Sequence, residues 1–128
     1  MNKFDYTVTS SKSVAEAVSD VEKKTAEKGF RVLYTHDAAR TLAEKGFSRS
    51  PLQIVEVCNA KYASQVLEKD VKIALMLPCP ISVYSEAGLT HISTMLPTAI
   101  TLFYPDAGIE GLAAEVEKVV ISIVDEAR

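Results

Sequence analysis

Two prolines bracketing one cysteine, Pro78-Cys79-Pro80, constrain this chain more than any other stretch. Neither ring nitrogen can donate to a β-ladder, and each ring pushes the residue before it into extended geometry. On the N-terminal side Val71, Ile73, Leu75 and Leu77 alternate with Lys72, Ala74 and Met76, the period of a strand with one buried face. On the other side Ile81, Val83 and Tyr84 resume a strand, and Glu86-Ala87-Gly88 turns it into the next. Pro80 is a candidate for a cis peptide bond. A thiol held between two prolines inside a sheet is the one chemically pointed feature of the chain.

Around this stretch the pattern alternates between strands and helices. Phe4, Tyr6 and Val8 open a strand, and Ser13 with Glu16 has the form of a capping box for a helix carrying Val14, Ala17, Val18 and Val21. Gly29 ends that helix at a position needing positive φ, with Phe30 folding back over the last turn. Phe30, Val32 and Tyr34 start a second strand, and Asp37 caps a short helix through Lys45. The pentapeptide A-E-K-G-F occurs twice, at 26–30 and 43–47, with unmatched flanks. It marks two independent helix stops, since a structural repeat carries matching residues over at least about 20 positions.

Leu52 to Cys58 forms a third strand, and Asn59 caps a helix running to about Lys69. Leu89 to Met95 alternates again. Thr98 to Tyr104, apolar and β-prone between two prolines, fits a packed loop or edge strand. The last helix presents Leu112, Ala113, Val116, Val119, Val120, Ile123 and Val124 on one broad face, the strongest helical signal present. No linker interrupts residues 1–128, which read as a single α+β domain.

Composition bounds what such a domain does. At 128 residues with 48% hydrophobic content it needs no metal or disulfide to fold. Its 14 basic and 17 acidic residues leave a net charge of −3 with no basic cluster, which argues against nucleic acid as a partner. No apolar run is long enough for a signal peptide or a membrane span, so the expected setting is the cytoplasm, with both cysteines reduced.

Cys58 closes a strand directly before a helix cap, where free N–H groups stabilise an anion and lower a thiol pKa. Asn59 and the amides after it are equally able to hold an anion. Free cysteines at strand ends are also commonly just small buried hydrophobes. Two arrangements of the chain from Leu52 to Leu77 fit its length. A right-handed crossover brings Cys58 and Cys79 to one sheet edge, and an antiparallel arrangement separates them. His91 fits a half-buried structural histidine, His36 a capping or surface role, and Glu56 and Glu86 solvated strand positions. Cys58, Cys79 and one histidine supply three metal ligands at most, without a tight C-x-x-C pair. Nucleotide-loop, dinucleotide, zinc-protease and nucleophile-elbow motifs are absent, so no acid–base or nucleophilic constellation can be assembled.

The G-F-x-V-L from Gly29 to Leu33, the E-V-C-N of Glu56 to Asn59, and the L-P-C-x-I-x-V-Y of Leu77 to Tyr84 together resemble the domain of unknown function 302 family. In that family the Asn is often followed by proline and the L-P-C by arginine, where this chain has Ala60 and Pro80. The missing arginine removes a cation beside Cys79. The resemblance implies a two-layer sandwich, a mostly antiparallel sheet with helices on one face, and a tendency to dimerise; it implies no activity. If the shared motif marks a site, Cys58, Asn59, Pro78 and Cys79 carry it. The favoured function is a small cytoplasmic binding module with a thiol, metal or small-ligand site at the Cys58/Cys79 edge, its cofactor undefined. The alternative is a structural or regulatory homodimer without a ligand site, and an enzyme has the least support.

Overall fold

The structure is a computed structural model that describes residues 4–128. Five strands, β1 (Asp5–Ser10), β2 (Arg31–Asp37), β3 (Leu52–Cys58), β4 (Cys79–Glu86) and β5 (Leu89–Met95), form one sheet in the order β1-β5-β4-β3-β2. Every neighbouring pair is antiparallel. Helices α1 (Val14–Glu27) and α5 (Glu110–Ala127) pack together over one face, giving the expected two-layer α+β sandwich. Helices α2 (Ala38–Ala43), α3 (Ala60–Lys69) and α4 (Ile100–Phe103) occupy the connections. No helix among the described residues is long and apolar enough to cross a membrane.

The local signals act as their chemistry dictates. Ser13 and Glu16 close the capping box at α1. After α1, Gly29 has φ +79°, its N–H bonds Ala26 O, and the Phe30 N–H reaches Thr25 O. After α2, Gly46, Ala43, Phe47 and Leu42 repeat the same bonds, so both pentapeptides build Schellman stops. Phe30 goes into the core, whereas Phe47 is 67% exposed. Ala87 and Gly88, both with positive φ, make the tight β4–β5 turn. On β2 the register slips between Val32 and Tyr34, a bulge in an edge strand.

The core is two clusters. The larger joins Val8, Val55, Val57, Ile81, Val83 and Ile92 of the sheet to Ala17, Val21, Val120, Ile123 and Val124 of α1 and α5. The smaller gathers Val66, Ile73, Ile100 and Ile109, and Leu77 packs against both.

Two segments differ from expectation. Val71–Met76 is a 3₁₀ helix, not a strand. The Asp70 carboxylate accepts the Lys72 N–H at 2.9 Å and starts the turn. At three residues per turn Ile73 and Met76 face inward, leaving Val71 and Leu75 exposed. The segment expected as a loop or edge strand is helical as well: Pro97–Ala99 is a 3₁₀ turn running into α4. Its start is held by the Glu117 carboxylate of α5, which accepts the Thr98 N–H at 3.1 Å. That partner lies 19 residues away and leaves no local trace. The cis peptide bond precedes Pro78, and not Pro80.

Val120 is fully buried between α5 and the sheet. Val120→Asp places an unpaired charge there, and a loss of about 3 kcal/mol or more is expected in denaturant unfolding. An unchanged midpoint would show that this face does not carry the fold.

Candidate functional site

Cys58 ends β3 and Cys79 begins β4. The connection contains α3 and a 3₁₀ helix, and β3 and β4 pair antiparallel, so it is not the right-handed crossover of parallel strands. The expectation that an antiparallel arrangement separates the thiols does not hold. Because β4 begins at Cys79, its start lies beside the end of β3: Val57 is directly opposite Cys79, with Cys58 one position beyond. Both cysteines are free.

Asn59 follows at once, its Oδ1 accepting the Tyr62 N–H at 3.2 Å and starting α3. The helix start does not activate the neighbouring thiol. Burial pushes the Cys58 pKa up, where the sequence suggested a lowered one. Cys79 is pushed up to about 11 by burial, with the nearby Cys58 adding to the rise. In both, burial raises the pKa by penalising the charged form. These are protonated, poorly nucleophilic thiols at neutral pH.

Around them lies a cavity of about 40 Å³ between the β3–β4 edge, α3 and the first half of α5. Cys58, Asn59 and Cys79 line it with Phe30, Val57, Leu77, Pro97, Ile100 and Ile109, together with Tyr62, Ala63 and Val66 of α3 and Ala113 and Val116 of α5. Pro78 is not in the wall; its neighbour Leu77 is. The space holds about three water-sized spheres, and its nearly pure apolar wall offers a water no partners.

No group of three or more His, Cys, Asp or Glu side chains able to hold a metal exists among the described residues. The histidines are engaged on the sheet instead. His91 stacks on Tyr84 at 5.3 Å, and His36 Nε2 lies 3.2 Å from Glu56 Oε1. A wider, open groove of about 600 Å³ crosses the opposite sheet face, where Ser93 Oγ shares hydrogen bonds with Thr7 Oγ1 and the Tyr84 hydroxyl.

Sequence reasoning missed Tyr62. Its ring lies 6.3 Å from that of Phe30, and the neighbouring Glu115 carboxylate raises the tyrosine pKa. The available signal was its place in the first turn after Asn59, the turn that carries the cap.

The family profile described as "Domain of unknown function DUF302" matches residues 6–127. The crystal structure of an uncharacterized conserved protein DUF302 from Bacillus stearothermophilus superposes with a TM-score of 0.92 at 33% identity, covering 99% of this chain and 100% of that one. No curated protein matches.

The thiol geometry sets a labelling order. At pH 7 a pKa near 11 in place of 9.0 leaves about a hundredfold less thiolate at Cys79 than in the unfolded chain. Alkylation of the native Cys58→Ser variant, which keeps the burial and loses only the Cys58 contribution, should be slowed by up to about that factor, rising about tenfold per pH unit toward the Cys79 pKa. Cys58, which is less buried, should label faster in Cys79→Ser. Labelling of native Cys79 at the unfolded rate would contradict the burial.

Proposed function

This chain belongs to the DUF302 family, and from that premise we propose that it is a binding module for a small, neutral, apolar molecule or the apolar end of one, seated at the Cys58/Cys79 edge. The observation that carries this reading is the cavity: its wall is apolar and includes Cys58, Asn59 and Cys79, three of the four motif positions. The chemistry selects against the other occupants considered. A hard or borderline cation finds no carboxylate or imidazole in that lining, and an electrophile would meet thiols held in their unreactive form. A neutral apolar group gains burial without leaving any polar atom unpaired.

Xenon and cyclopropane are suitable probes. Either should shift the methyl resonances of Val57, Val66 and Val116 in a saturable way. Ala63→Leu, which builds methyl groups into the cavity from α3, should abolish the shifts while keeping the fold. Absence of any shift in the parent protein would overturn the reading.

A second reading is a homodimer, supported by one surface. Val71 and Leu75 of the 3₁₀ helix are 71% and 83% exposed, and Leu102 and Phe103 of α4 are each 61% exposed. The Tyr104 hydroxyl reaches the Lys72 carbonyl at 3.5 Å, so the two segments lie side by side. Four large apolar side chains in solvent favour a self-complementary contact. Sedimentation at micromolar concentration should give a dimer, and Phe103→Glu a monomer; a monomeric parent protein would refute it.

A further inference from the structure

Of the two edges of the sheet, β2 is guarded and β1 is not. β2 carries the bulge between Val32 and Tyr34. β1 reads Asp-Tyr-Thr-Val-Thr-Ser, and its six residues pair with β5 without a slip. After Asp5 it holds no charge, proline or glycine, and Tyr, Thr and Val are strand-forming residues. An edge strand without such guards is a template for a further strand.

The phase of the ladder fixes what β1 offers. Phe4, just before the strand, comes opposite Leu96, and Phe4 O accepts the Leu96 N–H. Hydrogen-bonded pairs alternate along antiparallel strands, so Tyr6, Val8 and Ser10 direct their N–H and C=O groups to β5. Those of Thr7 and Thr9 therefore point out of the sheet edge. Both residues are exposed, and no strand lies beyond β1 among the described residues.

We propose that this edge pairs with β1 of a second copy, antiparallel and centred on Val8, so that Thr7 of each copy faces Thr9 of the other. That register uses the outward N–H and C=O of both threonines in each copy. It sets Val8 against Val8 and Tyr6 against Ser10 on the helix side, with no charge in the seam. Centring on Thr7 instead sets Thr9 against Asp5, whose carboxylate already accepts the Thr7 hydroxyl at 2.9 Å. The twofold joins two five-stranded sheets into one, with β2 at both outer edges. Both of those edges are bulged, so the sheet grows no further. A seam this short buries less surface than a standard interface, so it forms only at about 100 µM and above. It goes beyond both readings given above and uses neither the thiol cavity nor the apolar surface at Phe103.

Phe103→Glu, which silences that apolar surface, is the protein to test. Sedimentation should show a monomer at about 5 µM and a dimer fraction that rises through about 100–500 µM. Thr7→Pro sets its ring on the outward side, where the chain's own ladder loses no bond, and should weaken the association at least about tenfold while keeping the fold. The register is read by mixing isotope-labelled Thr7→Cys with unlabelled Thr9→Cys under copper–phenanthroline and air. Opposed residues stand about 5.5 Å apart at Cα, within disulfide reach, whereas diagonal ones at about 7–8 Å are beyond it. The mixed disulfide should therefore exceed the two self-products combined, whether or not Thr7→Pro folds. A monomer at about 500 µM, undiminished association in folded Thr7→Pro, or mixed and self-products in statistical proportion would each overturn the pairing.

Discussion

The placement of β1 and β2 at opposite edges of the sheet is the constraint on which the remaining structure depends. The chain must pass from one edge to the other before any central strand exists, and α1 is the bridge. Its 14 residues extend about 21 Å, matching the roughly 19 Å across five strands. A helix fixed at both ends in this way leaves one groove beside it, which α5 fills with Val120, Ile123 and Val124. Lys24 of α1 and Lys28 just after it pair with Glu126, and Lys12, just before α1, donates to the Ala127 carbonyl, so both ends of α1 are tied to the C-terminal end of α5. With 18 residues, α5 is longer than the sheet is wide, and its first turns, with Ala113 and Val116, reach the thiol cavity.

Leu77 links that scaffold to the cavity. It lies between the 3₁₀ helix and β4 and packs against both core clusters. The small cluster is therefore attached to the large one along a seam of apolar contact, not through a continuous sheet. A wall of this kind can part without breaking ladder hydrogen bonds, unlike a cavity enclosed within the sheet.

What could be read from the chain alone divides along physical lines. The capping box at Ser13, the Asp37 and Asn59 caps, the Gly29 stop and the apolar face of α5 are local, and each was legible. The 71–77 segment misled because every residue in it but Lys72 is apolar, so a period of three, with Ile73 and Met76 inward, fits as well as a period of two. The helical turns from Pro97 to Phe103 depended on Glu117, a partner supplied only by the finished fold. The nearness of Cys58 and Cys79 followed from where β4 starts, and hence from that same misread segment. The thiol pKa directions were illegible for another reason: burial is set by side chains that strands, helices and loops far apart in the chain bring together.

The bulge at Val32–Tyr34 has a consequence for how copies of this molecule meet. An edge strand with even spacing offers a template on which a neighbour can add its own strand, the route to fibrous assembly. Here the ladder loses step partway along β2, beside the side chains of Arg31, His36 and Asp37. A foreign strand would meet a break in the run of donors and acceptors at the bulge, with no more than the four residues Tyr34 to Asp37 in step beyond it. This edge thus acts as a colloidal safeguard, steering encounters between molecules away from backbone pairing and toward side-chain surfaces.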